Sequence, residues 1–192
     1  MIRYLLTVLL LLLFAFILRQ FIPVFPEFHH VRFFLVPLIF ICAAVTLDVI
    51  GVLLLSFVCG LLWDAQHIIL PVVGDPEVYP ELVTTLKFGY SIFLFAIAGF
   101  VMQGVKPLFQ QGKWQVSVFV TGIALFLYLI IELMLLSFIR GHIVLTRDIL
   151  KFVFYSSVIT MLFSPVVFLI LFKLAEAYRY QISYRGLGKS RH

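Results

Sequence analysis

Five ionisable side chains interrupt long apolar stretches, and they are the residues of this sequence best placed to do chemistry. They are Arg19, Asp48, Asp64, Lys87 and Glu132. A charged group at membrane depth costs roughly 2.5 to 3.5 kcal/mol on insertion scales, so each should face protein or water and find a partner. Acids and bases that meet in such surroundings can hold helices together or shape a site for a partner molecule.

The sequence contains no catalytic constellation around these groups. There is no His-Glu-x-x-His zinc motif, no Gly-x-Ser-x-Gly nucleophile turn, no glycine-rich phosphate loop and no Asp-x-x-Asp pair. His29 and His30 beside Glu27 could hold a metal, but histidines in loops are more often solvated. We therefore expect the protein not to be an enzyme and to bind no cofactor, metal or nucleic acid.

The elements that must position the five side chains are transmembrane helices. Of the 192 residues, 64% are hydrophobic and only 12% are charged, whereas a soluble domain carries about 25% charged residues. A water-soluble fold would lack a polar surface, so the solvent around this chain must be lipid. Because a transmembrane helix needs roughly 20 apolar residues, we predict an all-α, polytopic integral membrane protein with about six transmembrane helices.

Six apolar segments mark these helices, in a single transmembrane domain. The segments are 4–24, 33–47, 49–66, 82–105, 115–138 and 150–172, and a basic cytoplasmic tail follows at 173–192. We expect the first to be retained, because no small-residue pair for a signal peptidase follows it. The second and third run almost continuously and could instead be one long helix. Pro165 should kink the last, because its ring removes a backbone hydrogen bond.

The distribution of lysine and arginine predicts the orientation, since both concentrate on the cytoplasmic side. The tail carries five bases against the single acid Glu176. With six spans, both termini are then cytoplasmic and the acidic, proline-rich segment 71–81 lies outside. We expect the tail to stay helical for about two turns past Lys173, until Gly186 stops it. Its contacts with anionic lipid or a cytoplasmic filament protein should be made by Arg179, Arg185, Lys189 and Arg191.

A face of the third helix is predicted to pack against another helix. Ser56, Gly60 and Asp64 follow one another at i+4 steps and therefore share one face. Small residues at that spacing let a neighbouring backbone approach closely. Asp64 would then accept hydrogen bonds from the neighbouring segment, although a residue that merely ends the helix is the alternative.

Four ionisable groups should share one depth in the outer half of the bilayer. They are Arg19, Asp64, Lys87 and Glu132, with Glu132 roughly 10 Å below the outer surface. Such a cluster would hold four helices together or form a partner site. Alternatively, Arg19 and Lys87 simply extend to the interface, as long basic side chains often do.

From Arg32 onward the sequence resembles the MreD family of rod shape-determining membrane proteins. The resemblance covers roughly residues 32–179 and is carried by an apolar helix after Arg32, the motif Gly60-Leu61-Leu62-Trp63-Asp64, Gly74, the motif Phe88-Gly89-Tyr90, and Pro165 followed by Lys173. Its most specific element is the motif from Gly60 to Asp64.

The resemblance implies a non-enzymatic scaffold of the bacterial cell-elongation machinery in the inner membrane. Its implied partners are an MreC-like bitopic protein and an MreB-like filament, and through them a RodA-like glycosyltransferase and a class B penicillin-binding transpeptidase. The alternative is a substrate-binding subunit of an energy-coupling-factor vitamin transporter, which is also a small six-helix protein. Against it, the first helix here offers only Ala15 where that subunit typically has a small-residue docking face.

Overall fold

The chain folds into helices throughout the part that the structure describes. The structure is a computed structural model that describes residues 2–21, 33–66, 89–111, 114–140 and 147–180. The helices are α1 (Ile2–Phe21), α2 (Leu35–Thr46), α3 (Val49–Gln66), α4 (Tyr90–Val105), α5 (Trp114–Arg140), α6 (Arg147–Leu162) and α7 (Ser164–Ala177), and a 3-10 helix (Lys106–Gln111) follows α4. The described residues contain no strand, so the all-α prediction is confirmed for them.

Several of these helices are long and apolar enough to cross a bilayer. By length and composition there are three, namely Ile2–Arg19, Tyr90–Phe109 and Gln115–Phe138, and α6 with α7 makes a fourth if the bent pair counts as one span. α2 and α3 are shorter apolar helices. The helices thus fit a multi-pass membrane protein, whereas six crossings stay a prediction.

α2 and α3 are two helices and not one. The chain is extended at Leu47, with φ −88° and ψ 162°. A helix end leaves carbonyl groups without partners, which is costly where water is excluded. Gln103 satisfies two of these carbonyl groups, because its side-chain amide donates hydrogen bonds to the carbonyls of Ala44 and Leu47 at 2.7 and 2.9 Å. Lys106, which is buried, donates to the Leu47 carbonyl at 2.7 Å.

α2 is the central helix of the bundle. Every residue from Val36 to Thr46 is buried, and α2 contacts each of the other α-helices. Its 12 residues extend about 18 Å, well short of a hydrocarbon core of about 30 Å. The predicted second span is therefore a short helix enclosed by protein.

The predicted last helix is broken where only a kink was expected. α6 ends at Leu162, and α7 begins at Ser164 with an angle of 41° between the two helices. Pro165 occupies the first turn of α7, where its missing N–H group costs no intrahelical hydrogen bond. Phe163 accepts hydrogen bonds from the N–H groups of Val166 and Val167 at 3.1 and 3.2 Å. A new helix start accommodates the proline better than a continuous helix would.

The bundle has two distinguishable ends. At the first, the Tyr4 end, the rings of Tyr4 and Tyr180 stack with centroids 4.6 Å apart. The Tyr4 hydroxyl donates to the Thr46 hydroxyl at 2.9 Å. Burial, with smaller contributions from Asp48 and Tyr4, raises the pKa of Tyr180 to about 12, so its phenol stays neutral. The start of α1 and the end of α7 therefore lie at one end, and Arg19 marks the opposite Arg19 end.

The helical part of the tail ends earlier than predicted. α7 stops at Ala177, and Arg179 adopts a left-handed backbone conformation with φ 51°. The N–H group of Tyr180 donates to the Ala175 carbonyl at 2.8 Å, and the N–H group of Arg179 donates to the Glu176 carbonyl at 2.9 Å. This hydrogen-bond pattern, a Schellman motif, closes the helix.

The prediction of a helix that runs toward Gly186 is therefore wrong. The spacing of charged residues after Lys173 does not reveal that local hydrogen bonds close the helix first. Of the four tail bases, the structure describes Arg179, which is exposed. The other three, at positions 185, 189 and 191, lie outside the described residues, as does the segment 71–81.

Replacing Arg179 by glycine is expected to stabilise the fold by about 1 kcal/mol, because a left-handed conformation costs a side-chain-bearing residue roughly 1 to 2 kcal/mol. Thermal unfolding of the purified protein in detergent measures this as a higher midpoint. Ala177→Gly is the matched control and should lower the midpoint, since glycine inside a helix is unfavourable. An unchanged or lower midpoint for Arg179→Gly would show that the left-handed conformation is not strained.

Candidate functional site

α3 and α4 approach each other backbone to backbone at Gly60. A Cβ atom built on Gly60 would overlap the Cα atom of Ile92 and lie 2.5 Å from its backbone nitrogen. Ser56, one turn earlier, is buried and donates its hydroxyl hydrogen to the Leu53 carbonyl of its own helix at 2.7 Å. The small residues of α3 thus permit a contact that any larger side chain at Gly60 would prevent.

Asp64 extends this contact to the start of α4. Its carboxylate accepts a hydrogen bond from the N–H group of Gly89 at 2.7 Å, and the side chain is only 5% exposed. Gly89 has φ 98°, a conformation that favours glycine, and α4 starts at the next residue. The apolar pattern predicts a helix over 82–105, whereas α4 begins at Tyr90 after the left-handed Gly89; residues 82–88 lie outside the described residues.

Arg19 reaches from α1 to α3. Its guanidinium carbon lies 4.1 Å from the centre of the Trp63 ring, a cation–π contact, and Trp63 is buried. Phe16 meets the same indole edge-on, with ring centroids 6.4 Å apart. Arg19 is itself partly buried, so its side chain is packed on a neighbouring helix.

Glu132 brings α5 to the same place. The indole N–H group of Trp63 donates a hydrogen bond to the Glu132 carboxylate, and Arg19 and Asp64 lie within electrostatic range of it. We call Arg19, Trp63, Asp64 and Glu132 the polar cluster. Three of the four ionisable groups predicted to share one depth thus meet at the Arg19 end, and the fourth, Lys87, lies outside the described residues.

Tyr128 is a member of the site that the sequence did not reveal. It lies one turn before Glu132, is 2% exposed, and lies within electrostatic range of Glu132, Asp64 and Arg19. Within the described ranges its hydroxyl has no hydrogen-bond partner. A tyrosine among so many aromatic residues gives no signal of its own, although its i−4 spacing from Glu132 could have identified it.

The polar cluster is rich in hydrogen-bond acceptors and has one more acid than base among the described residues. Two carboxyl groups, those of Asp64 and Glu132, lie near one guanidinium, that of Arg19. This arrangement can hold helices together and can bind a positively charged group. No set of three His, Cys, Asp or Glu side chains suited to a metal occurs in the described part of the chain.

The remaining site predictions fall elsewhere. Pro165 lies at the start of α7 and Arg179 lies after its end, so neither belongs to the polar cluster. Asp48 is at the Tyr4 end, within electrostatic range of Lys106 and Tyr180.

Comparison of the chain with protein-family models, curated proteins and solved structures finds no match.

Proposed function

We propose that this protein is a non-enzymatic scaffold subunit of the bacterial cell-elongation machinery, which synthesises peptidoglycan and determines rod shape. In the inner membrane it would dock an MreC-like bitopic protein at the Arg19 end and connect it to an MreB-like filament at the Tyr4 end. A RodA-like glycosyltransferase and a class B penicillin-binding transpeptidase would join through these partners. The resemblance to MreD supplies the physiological role.

One observation carries the scaffold proposal. The motif from Gly60 to Asp64, the most specific element of the resemblance, contacts three other helices. Gly60 admits the backbone of α4, Trp63 contacts side chains of α1 and α5, and Asp64 binds the Gly89 N–H group. These residues hold α1, α3, α4 and α5 together at the Arg19 end, which supports a docking role for that end.

The orientation that this role requires has a direct test. We expect the Tyr4 end to be cytoplasmic, with both termini there and the segment 71–81 outside. Single cysteines at Glu77 and Ser190 should react with an impermeant thiol reagent from opposite sides of the membrane. The native thiols of Cys42 and Cys59 are fully buried, so their background reaction should be small. Labelling of both positions from outside would rule out the orientation.

The scaffold function itself is tested by purifying the full chain in native lipid nanodiscs from a rod-shaped bacterium. We expect a single-span protein to co-purify and no small ligand to be retained. A retained vitamin without a co-purified partner would contradict the proposal and support the transporter subunit instead.

A tail variant separates the two proposed connections. Gln at all four tail bases should weaken binding to anionic vesicles and to the filament while the single-span partner still co-purifies. The bases changed are Arg179, Arg185, Lys189 and Arg191. Unaltered binding to both vesicles and filament would show that the tail only sets the orientation.

A further inference from the structure

The polar cluster has one more acid than base. Arg19 can balance only one of the two carboxylates, and all three groups are at least partly buried in a chain whose surroundings are hydrocarbon. Ionised groups in such surroundings are expected to pair. Among the described residues, Arg19 is the base that lies within electrostatic range of Glu132. Among the described residues, the cluster therefore has one carboxyl group more than Arg19 can pair with, and a further cation could pair with it.

Tyr128 provides a second, independent sign that a group is bound here. Its hydroxyl is almost fully enclosed, yet no described residue accepts from it or donates to it. A buried hydroxyl without a partner is destabilising, and such groups are rare in folded proteins. The hydroxyl lies within electrostatic range of both carboxyl groups, so a group bound beside them is the candidate for its missing partner.

We propose that the polar cluster binds the ammonium group of a lysine in the outer half of a partner's transmembrane helix. The inference rests on the proposed scaffold function and names the chemistry by which the single-span partner is recognised. Glu132, the second oxygen of Asp64 and the Tyr128 hydroxyl supply three acceptors for the three N–H donors of an ammonium.

Lysine is the side chain whose shape fits this place. Asp64 and Tyr128 are buried while Glu132 and Arg19 are partly exposed, so the acceptors of the cluster lie at different depths. Lysine carries a compact charge on a thin, flexible stem, whereas the planar guanidinium of arginine is broader. A lysine alone in a transmembrane helix is costly to insert, and docking on the cluster would offset that cost. The site therefore selects among single-span partners.

The test uses a defined probe, a poly-leucine helix of about 20 residues with one lysine in its outer third. A soluble domain fused to its inner end fixes its orientation. Association with the full-length protein is measured by resonance energy transfer in phosphatidylcholine vesicles. We expect the lysine helix to bind on the order of tenfold more tightly than an all-leucine helix. Helices with glutamine or glutamate at the same position should show no such preference.

Variants of the protein test whether the polar cluster causes the preference for the lysine helix. Glu132→Gln and Tyr128→Phe should reduce or remove it, whereas Glu176→Gln, the same chemical change at an exposed site outside the cluster, should leave it intact. Thermal unfolding midpoints of the variants establish that each is folded. Persistence of the lysine preference in Glu132→Gln would overturn the assignment to this cluster.

Three further results would overturn the inference. The first is equal binding of the lysine and leucine helices. The second is loss of the preference in phosphatidylethanolamine vesicles, which would assign the site to a lipid ammonium. The third is a preference that emerges only in Lys87→Met, which would show that the chain supplies its own cation. If a single-span partner co-purifies but lysine is not preferred, the scaffold function stands and only the inference fails.

Discussion

Leucine in place of Gly60 should prevent the bundle from forming. The new side chain would overlap the backbone of Ile92, and a backbone cannot move aside as a flexible side chain can. Overpacked contacts typically cost about 1 to 3 kcal/mol, and here the only relief is separation of α3 from α4. Size-exclusion chromatography after detergent extraction should show little monodisperse protein.

Other glycines of the chain provide graded controls for this experiment. A Cβ at Gly104 would meet no atom within 4 Å, so Gly104→Leu should leave the yield unchanged. At Gly99 the nearest atom belongs to the Val52 side chain, at 2.5 Å, so Gly99→Ala should be tolerated better than Gly60→Ala. A wild-type yield and midpoint for Gly60→Leu would show that the two helices do not pack as described.

Removing the acceptor at Asp64 should cost both stability and partner capture. Asp64→Ala leaves the Gly89 N–H group without its acceptor, which costs about 1 to 3 kcal/mol for a buried group. Asp64→Asn keeps an oxygen at that place but removes the charge. We therefore expect Asp64→Asn to give a stable, inserted protein that retains less of the single-span partner, and Asp64→Ala to lose thermal stability as well.

The measurement is the amount of partner recovered per purified protein, together with the unfolding midpoint. Asp48→Asn provides the same substitution at the Tyr4 end and should leave partner recovery unchanged. Full recovery with Asp64→Ala would show that the carboxylate only ends its helix and that the resemblance at this motif has no mechanistic meaning.

Much of this architecture follows from patterns that a sequence displays directly. Long apolar runs predict the helices, and the i+4 spacing of Ser56, Gly60 and Asp64 predicts a face for close approach. The structure places the backbone of α4 against that face and has Asp64 accept a hydrogen bond from it. Capture of a partner at the same residues stays a prediction.

Other features depend on contacts between distant segments, which no local pattern reveals. The sequence left open whether α2 and α3 are separate, because the side chains that stabilise the break, Gln103 and Lys106, come from 56 to 59 residues later. Trp63 packs between Arg19 and Phe95, a contact that its position near the end of an apolar run does not indicate.

The enclosed position of α2 has a consequence for how the protein is made. Gln103 follows Ala44 by 59 residues, a delay of about 3 to 12 s at a synthesis rate of about 5 to 20 residues per second. During that time the helix has neither the length to cross the bilayer nor the side chains that satisfy its last carbonyls. Until then, those carbonyl groups must accept hydrogen bonds from water or from the insertion machinery. We therefore expect α2 to need protection until α4 emerges, and ribosomal pausing within this interval should prolong its exposure.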